Sequence, residues 1–226
     1  MPNERGFRRA RLIALAVALL VGFTALAQGV QWTETFDEGW QDRWQIQRLA
    51  SRATEFLAVE QDGESVLRVQ SRSSAAALVR SVNATTSLGV ISWRWRLERS
   101  LHRGPGAIDE TQRGGDDYAA RVFVIFGDDL TADDTRALCY VWASQLDPGA
   151  FFPSPVADRV QMIVLRSGVD ATEAWRTEII DPVADYRRVF GGEPPPVGAV
   201  GLMSDTDDTD SSAVVLFDDV VVGARQ

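Results

Sequence analysis

The side chains best suited to chemistry in this chain are Asp116, Asp117, Tyr118 and Arg121, which follow Gly114-Gly115 directly. Paired carboxylates accept hydroxyl hydrogen bonds or serve as acid and base. A guanidinium forks onto carboxylates or sugar hydroxyls. Two glycines free the backbone that sets this group at the mouth of a strand. The same four residues also fit a buried Asp–Arg pair that braces the long stretch from Ser100 to Gly115. A second group alternates along a strand near 89–99, where Arg94 and Arg96 share one side. With Arg121, and with Tyr140 or Trp142 to stack on a ring, these arginines are expected to form one polar sheet face. That face would hold a ligand or simply meet water.

Acidic residues come in clusters: Asp128-Asp129, Asp133-Asp134, the run Asp205 to Asp210, and Asp218-Asp219. Calcium takes six to eight oxygens, mostly carboxylate and carbonyl. The 205–210 run opens like an EF-hand loop, but its sixth position is Asp210 rather than Gly and its twelfth is Leu216 rather than Glu, so it is not one. A sandwich-type calcium site near the chain ends stays open, with Glu34 or Asp37 meeting Asp218 or Asp219. A structural calcium is the one cofactor the residues suggest. For most of these clusters the alternative is a turn in which Asp supplies local hydrogen bonds.

Several mechanisms lack their parts. There is no Gly-x-Ser-x-Gly, no His-x-x-x-His pair and no Walker loop. The one histidine, His102, reads as a surface residue of the loop Leu101 to Gly106. The one cysteine, Cys139, precludes an internal disulfide and lies in the apolar stretch Ala137 to Ala143, as a buried inert thiol would. A carboxylate pair for glycoside hydrolysis stays open, because its spacing is a three-dimensional fact.

These residues must be positioned by strands. Runs rich in Val, Ile, Trp, Phe and Tyr predict strands near 54–60, 65–71, 76–82, 89–99, 118–127, 137–144, 159–167, 175–180, 197–204 and 213–222. Gln61-Asp62-Gly63-Glu64 predicts a hairpin turn. One short helix is expected near 182–190, capped by Asp181, opened by Pro182 and ended by Gly191. Alternation sends Ile91, Trp93, Trp95 and Leu97 to one side, and Val122, Val124 and Phe126 to one side of their own strand. Many short strands and one helix predict an all-β antiparallel sandwich, a jelly roll. Without a linker or repeat, residues 28–226 read as one domain.

Residues 1–27 read as a signal peptide. Arg5, Arg8, Arg9 and Arg11 precede an uncharged apolar run from Leu12 to Phe23, and Ala25-Leu26-Ala27 supplies small residues for cleavage. The run is short for a bilayer span, which needs about 20 residues. The chain is therefore expected to be exported, periplasmic or secreted, with no membrane contact after cleavage. The leader takes four of the 23 Lys+Arg and one of the 32 Asp+Glu, which leaves a net charge of −12. Such a charge argues against nucleic acid and anionic lipid as partners.

The chain also resembles a bacterial family of exported proteins known as domain of unknown function 3047. The residues that carry the resemblance are Trp93-Arg94-Trp95, Gly115 to Val122, Tyr140-Val141-Trp142 and Leu165 to Gly168, then Asp185 to Gly191 and Asp205 to Thr209. The chain departs from it at Cys139 and Asp208, where the family pattern has Asn. The resemblance implies a strand pattern similar to concanavalin-like and carbohydrate-binding jelly rolls, and it brings no activity with it. Three readings follow. The first is a non-catalytic module that binds a carbohydrate or another cell-envelope ligand. The second is an enzyme on envelope polysaccharide that uses Asp116 or Asp117 as acid or base. The third is a structural or protein-binding envelope protein whose Asp-rich loops hold calcium or meet a partner.

Overall fold

A computed structural model describes residues 29–82, 88–101, 108–127, 134–169 and 174–224. The expected leader, His102, Asp128, Asp129 and Asp133 lie outside the described residues. In chain order the elements are β1 (Val30–Glu34), β2 (Gln45–Arg48), β3 (Glu55–Gln61), β4 (Glu64–Arg72), β5 (Ala75–Ser81), β6 (Leu88–Arg99) and β7 (Ala120–Phe126). There follow β8 (Arg136–Ala143), β9 (Phe151–Pro153), β10 (Val160–Ser167), β11 (Arg176–Ile180), the helix α1 (Pro182–Phe190), β12 (Val197–Asp205) and β13 (Ser212–Ala224). No described helix is long and apolar enough to cross a membrane.

The strands form the expected all-β sandwich. Sheet A runs β11-β6-β13-β4-β3, with β1 also paired to β13; sheet B runs β2-β5-β12-β7-β8-β10-β9. All pairs are antiparallel except β8 and β10, which makes sheet B mixed. After β8 the chain crosses to the far side of β10 and places β9 on that edge before returning as β10.

Local chemistry explains the turns. Asp62 and Gly63 both have positive φ, 53° and 86°, which a tight hairpin between β3 and β4 requires. The Asp181 carboxylate accepts from the amides of Val183 and Ala184 at 3.1 and 3.0 Å, capping α1. Gly191 ends the helix at φ 72°. The three unforeseen strands, β1, β2 and β9, span at most five residues, too few for alternation to register.

Between the sheets lies a core rich in aromatic rings. Trp93, Trp95 and Leu97 of β6 meet Tyr140 and Trp142 of β8 and Phe217 of β13. A second apolar cluster sits on the outer side of sheet B. There Cys139, Val141, Met162 and Val164 are covered by Tyr118, Leu146 and Phe152. Buried Glu110 clamps that cover, accepting from the amides of Ser144, Gln145 and Leu146 at 2.7, 3.0 and 3.3 Å. Among the described residues, sheet B is therefore buried on much of both faces, and sheet A keeps a broad polar side.

Candidate functional site

The sequence places Asp116, Asp117, Tyr118 and Arg121 just before and at the start of β7, and the structure keeps them together but encloses them. All four are buried. The approach to them depends on Gly115, where an added Cβ would lie 2.3 Å from the Asp109 carbonyl oxygen. Arg121 and Asp205 come from neighbouring strands, since Met203 pairs with Arg121. Arg121 Nη2 donates to Asp205 Oδ2 at 2.6 Å, donates to the Asp116 carbonyl, and lies 3.5 Å from Asp116 Oδ2. The Arg121 guanidinium stacks 4.7 Å from the Tyr118 ring centroid. Tyr118 donates its hydroxyl to the Glu110 carbonyl at 2.8 Å. Asp117 accepts from the Asp208 and Thr209 amides at 3.2 and 2.7 Å, and from the Thr209 hydroxyl.

The electrostatics match that enclosure. Burial pushes the Asp205 carboxyl up to about 9, with Arg121 pulling it down and Asp207 and Asp117 adding to the rise. Burial also raises Asp116, against the pull of Arg121, and raises the Tyr118 hydroxyl, which stays protonated. Cys139, whose thiol burial pushes up to about 12, is a neutral packing group. The quartet expected as a ligand site is therefore buried as a brace between the start of β7 and the 205–210 loop, and does not form an open face for a polymer.

Tyr140 and Trp142 are likewise not on the polar face. Both rings lie in the core, with Tyr140 packed 6.0 Å from Trp93 and Trp142 5.7 Å from Trp95. The Tyr140 hydroxyl donates to Asp185 of α1 at 2.9 Å. The expected surface of Arg94, Arg96, Arg121, Tyr140 and Trp142 does not form. Arg121 and the two rings belong to sheet B, whereas Arg94 and Arg96 stand on the outer face of sheet A.

On that outer face the arginines meet an aromatic that the motifs did not include. Trp175, just before β11, is half-buried. The guanidinium carbons of Arg94 and Arg96 lie 4.6 and 5.3 Å from its ring centroid. Register explains the meeting, because Arg176 pairs with Trp95 and Thr177 with Arg94. Period-2 alternation then puts Trp175 on the same side as the arginines. Around it, Arg94 Nη2 donates to Asp218 and Glu64, both at 2.5 Å, and its Nε lies 3.0 Å from Asp219. Arg96 donates to Gln61 at 2.6 Å.

The four expected calcium ligands are not brought together. Glu34 is saturated: it accepts from Arg43 at 2.9 and 2.7 Å, from Trp44 at 3.0 Å, from Arg80 at 2.7 Å and from the Phe36 amide at 3.0 Å. Burial acts to raise its carboxyl, but the bonds from Arg43, Trp44 and the Phe36 amide outweigh it and hold the group below the usual value. Asp37 is exposed and accepts from Thr35 at 2.7 Å. Asp218 and Asp219 stand at a bulge in β13, where Asp219 has φ 50°, and both face Arg94. Beside Arg43 and Arg80 lies a groove of about 250 Å³, lined also by Gln45, Gln47, Val79 and Ser81.

The family model for proteins of unknown function DUF3047 matches residues 42–221. The chain belongs to the DUF3047 family. No curated protein sequence matches it. Among solved structures, this DUF3047 chain is similar to the family 11 carbohydrate-binding module of a cellulosomal cellulase from Clostridium thermocellum. The two are 10% identical with TM-score 0.47, over 87% of this chain and 95% of the module. The cellulose-induced protein Cip1 is 11% identical with TM-score 0.48, over 86% and 98%. A cleaved adhesin domain of Lys-gingipain from Porphyromonas gingivalis is 10% identical with TM-score 0.44, over 86% and 99%. Likenesses of this size do not carry a function across.

Proposed function

We propose that this DUF3047 protein is an exported, non-catalytic binding module. Its ligand is a carbohydrate or a similarly hydroxyl-rich polymer of the cell envelope, and it lies on the outer face of sheet A across Trp175. One observation carries this reading: a half-buried Trp ring held by Arg94 and Arg96 on a polar sheet face. A ring held this way offers its uncovered part for stacking on a sugar. The guanidinium edges and the carboxylates of Glu64 and Asp219 supply hydroxyl partners around it. Export rests on the Arg-rich leader with its apolar run. The burial of Asp116 and Asp117 weighs against their use as acid and base, because a catalytic carboxylate must come within hydrogen-bond reach of its substrate.

The test is affinity electrophoresis of the purified protein in gels cast with neutral and acidic polysaccharides. Retardation by one polymer, lost in Trp175→Ala while the thermal transition is kept, is the expected result. An interface Trp of this kind is worth about 2 kcal/mol or more, roughly thirtyfold in affinity. If Trp175→Ala is retarded like the wild type while Gln47→Ala is not, the ligand sits in the Arg43–Arg80 groove and the assignment to sheet A is wrong. If no polymer retards the protein, the glycan reading fails.

A further inference from the structure

Away from the sheet A surface, the described residues bring one group of acids close together. One carboxylate oxygen each from Asp117, Asp205 and Asp207 lie within 4.8 Å of one another, where the end of β12 meets the approach to β7. Grouped acids on a surface are ordinary, but Asp117 and Asp205 are buried. Arg121 divides a single positive charge between Asp116 and Asp205. It leaves Asp116 Oδ1 and Asp205 Oδ1 buried without a hydrogen-bond partner. Asp205 is 7% exposed. Its Oδ2 is engaged by Arg121, its Oδ1 finds no donor, and its carboxyl lies against that of Asp207, an acid-on-acid contact that a cation can bridge. Orphaned buried carboxylate oxygens in a folded protein call for a ligand, an ion or an ordered water.

We infer that Asp117, Asp205 and Asp207 bind a hard divalent cation of the calcium class, which ties the 205–210 loop to the start of β7. The donors are all oxygens, with neither His nor Cys among them, which favours calcium over the zinc-type metals. Asp117 Oδ2 already accepts from both the amide and the hydroxyl of Thr209, so Oδ1, which accepts from the Asp208 amide, is the atom it offers to the ion. Those amide bonds pre-set the loop, so the three carboxylates converge before the ion arrives. Exposed Asp207 is the entry ligand. The cation answers the negative charge that one guanidinium cannot balance. This inference is independent of the sheet A surface, which lies on the other sheet.

The experiment is thermal denaturation and calorimetric titration of the purified protein, with calcium chloride or with EDTA as the only variable. At calcium about 100 times Kd, the transition is expected to rise by roughly 5–11 °C over the EDTA value. Asp207→Asn, at an exposed position that does not endanger folding, is expected to weaken calcium binding by about tenfold or more, since affinity follows ligand charge. In EDTA the same variant is expected to melt at or above the wild-type temperature, because it removes a like charge from the group; a merely structural Asp would melt lower. Identical transitions in calcium and EDTA overturn the inference. So does an undiminished calcium response in Asp207→Asn, or a shift produced by magnesium and not by calcium.

Discussion

Arg94 and Arg121 each hold aspartates, yet the two regions around them behave as opposites. The Arg121 side chain is 4% exposed and that of Asp205 9%. Around Arg94, at 20%, Glu64 and Asp219 are exposed to 63% and 53%. In the enclosed region the medium screens little, and removing one partner strands a charge that water cannot reach. On the open face, water and salt screen the pairs with Glu64 and Asp219 and each is worth little, while the pair with Asp218, 3% exposed, fixes the Arg94 side chain in place. An arginine there can trade a carboxylate for a ligand hydroxyl at small cost. Residue types alone mark both regions as chemical. Exposure makes one a brace and leaves the other open, where the proposed ligand would lie.

Variants sharpen that contrast, beginning with the largest effect. Arg121→Leu strands Asp205 and Asp116 and should cost about 3–5 kcal/mol, lowering the transition by roughly 6–20 °C. Thermal melting checks this, and an unchanged transition would mean the enclosed pair is not a brace.

Glu34→Gln comes next, at about 2 kcal/mol near neutral pH, since it weakens hydrogen bonds to charged groups. Its pH signature is more telling. A folded carboxyl held below its unfolded value, near 4.3, contributes stability that is present above that value. The contribution is lost as pH falls through the lower folded one. Wild-type stability should therefore fall as pH drops from about 5 into the acid range, and Glu34→Gln should flatten that limb. Urea unfolding at stepped pH reads both slopes; parallel slopes would remove Glu34 from the account.

Tyr140→Phe deletes one hydrogen bond to α1 and keeps the ring in the core. The expected loss is about 1 kcal/mol, or roughly 2–4 °C. An effect on ligand retention would instead place Tyr140 at the ligand, against its buried position. Trp175→Ala is the smallest change in stability, less than about 1 kcal/mol for a half-exposed residue, and by this account the largest change in binding.

Much of this arrangement was legible in the sequence, and the exceptions have physical causes. The side of β6 that carries Trp93 and Trp95 followed from alternation, because polar residues occupy every other position there. The cap at Asp181 and the turn at Asp62-Gly63 followed from local backbone chemistry. In β8 the run Ala137 to Ala143 is apolar on both sides, as in a strand buried on both faces. Period alone therefore could not say whether Tyr140 and Trp142 faced core or surface. The group from Asp116 to Arg121 was found by type, but whether it is open depends on the 205–210 loop folding over it, a contact about 90 residues away in sequence. Trp175 stands at the first position of a predicted strand, and only the register between β11 and β6 brings it to Arg94 and Arg96.

The most direct test of the division between brace and binding face compares three proteins in one polysaccharide gel: wild type, Trp175→Ala and Asp207→Asn, each with its melting curve. Asp207→Asn should be retarded like the wild type, and Trp175→Ala should run free with a nearly unchanged transition. Retardation of Trp175→Ala equal to that of the wild type, with Asp207→Asn running free, would contradict that division and move recognition to the acidic centre.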